Sequence, residues 1–427
     1  MKHFTLDLKK MLAVAALATY GMADAQTALL DAWMMNTTGQ TASYEYYPGA
    51  PPTTQSVNMP DSSDILELCQ DNDYVYVRTN GLPSHAMGPW EMNPNVPAAI
   101  SSTYRIPKNP QEEMGTKEDQ PFVGALGIAV NGVKLYGAGD ARTYNSGTNQ
   151  NDANGDGLWY ADAWVSEGAT MDATGSGHAD QNGNYHYHAT PIALYSGTGH
   201  SPIIGYAFDG FPIYGPYGYD QPFDANSPVV RMETGYELRT MSDRSTLPGG
   251  ATSSPAGPPI NATFPLGTYW QDYEYTGNGH LNEYNGRWCV TPEYPDTIFA
   301  YFITMDASME PEFPYILGFQ YFGQVNSNDI GGPAGNITVP GSANCGTSTQ
   351  SIEEQQIEFT VYPNPANETL NISGVTSGTY EIYDQLGRQV QAGEVANQLF
   401  IENLAEGVYI LQIEVDDIQS RKQFIKE

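Results

Sequence analysis

Four of the chain's seven histidines lie between residues 178 and 200: His178, His186, His188 and His200. Imidazole is a common metal ligand and carries protons near neutral pH. The middle pair sits in NGNYHYHATP, directly after Asn182-Gly183, a hairpin-turn signal because both residues tolerate positive φ. The alternation predicts a strand running to Pro191. A period of two sends His186 and His188 to one face and Tyr185 and Tyr187 to the other. Residues two apart on a strand are separated by about 7 Å along the backbone. Two such rings can converge on one metal ion. Paired histidines packed without a metal are the plainer alternative.

Register decides which other histidine joins them. A two-residue turn at Asn182-Gly183 pairs position 178 with 187, and His178 then faces the tyrosine side. A three-residue loop, 182–184, pairs 178 with 188, and His178 then opposes His188. The candidate metal set is therefore His186 and His188, with His178 or His200 and Asp209 completing it. Asp209 lies in HSPIIGYAFDGFPIYGPYGYD (200–220), where it is a ligand, a support for a ligand, or a turn residue. Asp172 and Asp180 are further carboxylates nearby. Imidazole suits zinc and copper alike, so the expected cofactor is one of these divalent transition metals. An open coordination position would allow water or oxygen activation, as in an extracellular hydrolase or oxidoreductase.

Other candidates are weaker. DANGDG places Asp152, Asn154 and Asp156 as in the first half of a calcium loop, but Ala163 stands where the closing Glu belongs. Trp270, Tyr273, Tyr275 and Tyr284 would line a sugar-binding cleft or pack a core. The first of these makes the chain a metal-free surface module for glycan or another envelope polymer. Glu283 and Asp209 are a candidate carboxylate pair. G-x-S-x-G, H-E-x-x-H, P-loop and G-x-G-x-x-G signatures are absent, so catalytic residues are not assigned.

The elements that must carry these residues are strands. The chain has 427 residues, 40% hydrophobic, with 44 Gly, 30 Pro and 30 Tyr and only 15% charged. That mixture favours short strands joined by turns, a mostly β fold. DYVYVRTNG (73–81), FVGALGIAVNGV (122–133) and TIFAYFITMD (297–306) read as strands. The Gly-, Asp- and Asn-rich region 139–184 reads as long loops over that scaffold.

The net charge is −32, with only 17 Lys and Arg. This argues against nucleic acid and anionic membranes as partners. Lys2, His3, Lys9 and Lys10, then MLAVAALATYGM and Ala23-Asp24-Ala25, read as a signal peptide (1–25) cleaved after Ala25. No later segment is apolar for eighteen residues, so no integral membrane segment is expected once the signal is removed. Cys69, Cys289 and Cys345 allow one disulfide in an oxidising compartment, with three pairings open.

Residues 26–345 read as one large β unit and 346–356 as a polar linker. Residues 357–427 read as a small Ig-like β-sandwich of closely spaced strands. Here YPNP (362–365), DQLGR (384–388), LAEGVYILQI (404–413) and RKQFIKE resemble the C-terminal sorting domain of type IX secretion substrates. The resemblance implies the type IX secretion machinery as a partner, in a Bacteroidetes-type bacterium. It also implies release or surface anchoring after removal of that domain.

The pieces TNGLPSHAMG (79–88), DATGSGHADQNGNYHYH (172–188), HSPIIGYAFDGFPIYGP (200–216) and LNEYNGRWCVTPEYP (281–295) resemble the YHYH-domain family over residues 30–325. His85, His178, His186, His188, His200 and Asp209 fall on positions that recur in that pattern. Asn282 and Tyr284 stand where the family usually shows Asp and Cys, while Glu283 is kept. The resemblance implies a β-rich unit with long loops and a histidine cluster, and supplies no reaction.

Overall fold

The computed structural model describes residues 28–49, 51–346, 359–384, 389–396, 398–415 and 418–426. The signal peptide, its cleavage site at Ala25 and most of the linker lie outside the described residues. The described residues form two compact units that divide between Ser348 and Thr349.

The first unit is built on an eight-stranded sheet. Its strand order is Gly177–Ala179, Tyr185–Tyr187, Lys134–Tyr136, Ala125–Ala129, Ile203–Ala207, Pro212–Tyr214, Ile298–Phe302 and Gly286–Cys289. Neighbours run antiparallel except Tyr185–Tyr187 beside Lys134–Tyr136 and Pro212–Tyr214 beside Ile298–Phe302, which are parallel. Every residue of Ala125–Ala129, Ile203–Ala207 and Ile298–Phe302 is buried. Both faces are therefore covered, which explains why these strands read as apolar runs rather than as alternation. The strands expected in 73–81, 122–133 and 297–306 are present as Tyr74–Thr79, Ala125–Ala129 and Ile298–Phe302.

The region 139–184 is not purely loop. Gly139–Asn145 pairs with Gln150–Asp152 and with Tyr160–Asp162. A short helix, Ala163–Glu167, follows, capped by the Asp162 carboxylate, which accepts from the Val165 N–H at 3.0 Å. Asp162 also accepts from the Tyr315 hydroxyl at 2.9 Å. Its strand is buttressed by the chain at 267–272, since the Asp162 N–H donates to the Thr268 carbonyl. That chain is fixed in turn by the buried pair Arg244 and Asp272 at 2.7 Å. Arg244 also donates to the carbonyls of Pro258, Phe264 and Pro265. A buried guanidinium so completely partnered ties a long, strand-poor segment into one conformation.

A four-stranded sheet, Asn344–Gly346, Ile65–Gln70, Tyr74–Thr79 and Ser102–Pro107, and three two-stranded sheets complete this unit. Cys345 lies opposite Cys69 across it, and the two form a disulfide, leaving Cys289 buried and reduced. The second unit holds a three-stranded and a four-stranded sheet over one core containing Leu370, Ile372, Ile382, Leu411, Ile413 and Phe424. The family of folds is the expected one: mostly β, with a small sandwich at the C-terminal end.

The disulfide closes 276 residues of chain, so it removes much of the unfolded state's freedom. Cys345→Ser is expected to lower the thermal midpoint by several degrees. It should also abolish the further drop that a reductant produces in the parent chain, as calorimetry with and without dithiothreitol would show.

Candidate functional site

The hairpin between Gly177–Ala179 and Tyr185–Tyr187 pairs His178 with His186 and Ala179 with Tyr185. This differs from both expected registers. The cause is Asp180: its Oδ1 accepts from the N–H groups of Asn182 at 2.8 Å and Asn184 at 3.0 Å. Its own N–H donates to the Asn184 carbonyl at 3.1 Å. The loop is therefore three residues, 181–183, between the paired Asp180 and Asn184, one position earlier than the three-residue loop expected, and Gly183, at φ 81°, supplies the left-handed step. His178 opposes His186, not His188, and all three histidines share one face.

Their ring atoms converge. One ligand atom from each of His178, His186 and His188 lies within 4.8 Å of the others. The Nε2 atoms of His186 and His188 are 3.1 Å apart. The opposite ring nitrogens are held by acceptors. Nδ1 of His186 contacts the Asn184 carbonyl at 2.9 Å, and Nδ1 of His188 the Gly137 carbonyl at 3.0 Å. A carbonyl only accepts, so both Nδ1 atoms carry the proton and both Nε2 atoms present lone pairs. His178 Nδ1 contacts the Thr170 hydroxyl at 2.8 Å, and that hydroxyl donates to the Glu167 carbonyl at 2.7 Å. The hydroxyl's proton is thus committed, and His178 is fixed in the same tautomer. Such orientation through the far nitrogen is how metal-binding imidazoles are aimed.

Glu167 closes the group, and no motif or spacing in the chain marks it. Its Oε2 lies 3.8 Å from His178 Nε2 and 3.9 Å from His188 Nε2. Its side chain is 20% exposed against 3% for His188, so the cluster opens to solvent on this side. Tyr136 covers the other side, with its ring stacked 4.0 Å from that of His186 and its hydroxyl accepting from Asn184.

Burial sets the charge state. It lowers His178 to about 4 and His188 to about 3, and holds His186 well below the ordinary value, with the neighbouring rings adding to the effect on the last two. The three rings are neutral at pH 7, as metal ligation requires. Burial, then Asp140, raises Glu167 to about 7.

The tyrosines of the same strand point the other way and are tethered. Tyr185 donates to Asp172 at 2.6 Å. The Tyr187 hydroxyl lies 2.7 Å from His85 Nε2 and receives Asn131 Nδ2 at 2.9 Å. Asp172 and His85 therefore serve this face and not the histidine cluster.

Two expected ligands are elsewhere. His200 packs on Tyr214 and Tyr219, and its Nδ1 bonds the Ser201 carbonyl. Tyr214 belongs to a strand four positions along the sheet from Tyr185–Tyr187, about 19 Å at ordinary strand spacing. Asp209 is fully buried, accepting from Tyr301 at 2.6 Å, Gly323 N–H at 2.8 Å and Phe211 N–H at 3.2 Å. It is a structural turn carboxylate, and its partnership with the exposed Glu283 is not formed.

The residues expected to bind calcium are spent locally. Asp152 takes Asn145 Nδ2 and the Asn154 N–H, and Asp156 takes the Ser146 N–H. Ala163 begins the helix rather than closing a loop.

The chain thus joins a mostly β unit with a buried three-histidine cluster to a separate C-terminal β unit. Residues 103–314 match the YHYH protein family, and residues 360–427 match the secretion system C-terminal sorting domain. The chain carries a YHYH region followed by a sorting domain, and is a substrate for secretion to the cell surface or beyond it. The matched YHYH region contains His178, His186, His188, His200, Asp209 and Glu167, while His85 precedes it. No curated protein matches the chain. No helix among the described residues is long and apolar enough to cross a membrane.

The shifted groups act oppositely on stability. His178 and His188 bind protons in the unfolded chain up to about 6.5 but not in the fold, so their contribution is complete above that pH. It is lost as pH falls towards 4 and 3. Asp162, raised to about 7 chiefly by burial, does the reverse: its protonated form is favoured in the fold, and stability falls as pH rises from about 4 to about 7. Asp162→Asn keeps the helix cap and removes that ionisation. Urea titrations across this range should show the metal-free variant losing less stability than the parent between pH 5 and 7.5.

Proposed function

We propose that the YHYH region is an extracellular metal-binding module in which His178, His186 and His188 hold one divalent transition metal, zinc or copper. The carrying observation is the 3.1 Å contact between two Nε2 atoms whose rings are both tethered as Nδ1–H. Two neutral lone pairs at that distance repel. A shared proton would relieve them, but burial opposes it. A metal relieves them directly: two nitrogens about 2.0–2.1 Å from a tetrahedral ion lie about 3.3 Å apart.

Glu167 supports a second reading of the same site, as a metal-dependent hydrolase or oxidoreductase. Its carboxylate stands on the open side, where it can complete the coordination or orient a water there. A closed structural site calls for four protein ligands; a catalytic one keeps a position for solvent.

The purified chain is expected to carry close to one zinc or copper per molecule by elemental analysis. The His186→Ala/His188→Ala double variant, shown to be folded by circular dichroism, should carry none. A wild-type chain that stays metal-free after incubation with both ions overturns the proposal. Glu167→Ala in cobalt-loaded protein separates the two readings. A changed visible spectrum makes Glu167 a ligand, and an unchanged spectrum with retained metal leaves the fourth position to solvent.

A further inference from the structure

Away from the histidines, a cleft of about 370 Å³ opens on the first unit. It is lined by Tyr236, Tyr275, Tyr284 and Phe319 and by Glu283, with Glu274 contributing on the strand beside Tyr275; alternation turns the Glu274 side chain to the face opposite Tyr275. Lys117 Nζ already lies 4.9 Å over the Tyr284 ring, but no Lys, Arg or His lines the cleft itself, and Glu283 belongs to no ion pair among the described residues.

The walls are built rather than draped. Tyr275 is held opposite Tyr236 by the pairing of Tyr236–Leu238 with Tyr273–Tyr275. Gly235 lets the Tyr275 ring approach the backbone, since a Cβ there would meet Cε2 of that ring at 2.4 Å. The turn bearing Glu283 is fixed on three sides. Tyr236 donates its hydroxyl proton to the Glu283 carbonyl at 2.6 Å, and the Gly318 N–H donates to the Tyr284 carbonyl at 3.0 Å. Asn282 Oδ1 accepts from the Tyr284 N–H at 3.1 Å. After burial, the charge of Glu283 raises the phenols of Tyr236, Tyr275 and Tyr284, so this carboxylate lies near all three. Yet Tyr275 remains 40% exposed, a large ring offered to solvent near Glu283.

Aromatic faces carry negative potential and attract cations, most strongly alkylated ammonium groups. Carboxylates beside them add Coulomb attraction, and a chain with net charge −32 steers cations inward. A neutral sugar would use the rings but gain nothing from the charges. We propose that this cleft binds an organic ammonium ion, with the nitrogen against Tyr275 and the charge balanced by Glu283. This site is independent of the metal proposal.

The test uses the full chain and isothermal titration with choline, its uncharged isostere 3,3-dimethylbutan-1-ol, Nα-acetyl-lysine methylamide and methyl glucoside. Choline or the lysine derivative is expected to bind about tenfold more tightly than the isostere. Which of the two binds better tells a small quaternary ligand from a peptide side chain. Glu283→Gln and Tyr275→Leu should each weaken binding several-fold, with the thermal midpoint held, since both side chains are exposed. Equal binding of the isostere, binding of methyl glucoside alone, or no binding of either cation would overturn the assignment.

Discussion

Everything at the histidine cluster depends on one carboxylate in a turn. Asp180 collects the N–H groups of Asn182 and Asn184 and so fixes a hairpin that places His178 opposite His186. A slip of one residue would send His178 to the tyrosine face. The strand's two faces then diverge in chemistry. One carries imidazoles whose far nitrogens are tied down and whose near nitrogens meet. The other carries phenols neutralised by Asp172, His85 and Asn131. The hairpin sits at the edge of a sheet whose inner strands are buried on both faces, and its own strands are buried too, so solvent reaches the cluster past Glu167 alone among the groups described around it.

The second dependence is on packing of the loop-rich middle of the chain. Glu167 and Thr170 reach the cluster because the short helix after Asp162 ends there. That helix is set by the strand Tyr160–Asp162, and this by the segment that Arg244 and Asp272 bind together. A buried ion pair far along the chain thus supports the position of a carboxylate beside the histidines. The stabilising value of such a pair is small, but its partners are so fully specified that alternative loop conformations leave charges unpaired.

Much of this was legible in the residues. Turn chemistry and apolar runs located the strands, and alternation located the shared face of His186 and His188. The register was not legible, because Asn182-Gly183 is a stronger local turn signal than Asp180, and only the pairing geometry shows that the aspartate sets where the three-residue loop falls. His200 and Asp209 were drawn in by proximity along the chain. The sheet carries them away, because the strands between 200 and 216 lie beyond two that come earlier in the sequence. Glu167 had no pattern to reveal it: a single acid in a polar stretch, brought in by a long-range fold.

The tether pattern also constrains which ions the site can accept. Every Nδ1 is bound to an oxygen fixed by backbone or by a hydroxyl whose proton is already used. Swapping tautomers at any ring would bury an unpaired Nδ1 against an acceptor, a loss of a hydrogen bond and a repulsion together. The rings are therefore preset to offer three Nε2 lone pairs before any ion arrives. Their low proton affinity keeps acid from competing until well below neutral pH. A hard, oxygen-seeking ion such as calcium gains little from three imidazoles, whereas a borderline ion finds its preferred donors already assembled. An exported protein that held an ion in the way proposed would meet whatever metal its surroundings offer. Selection there rests on donor chemistry and geometry, which this hairpin fixes in advance.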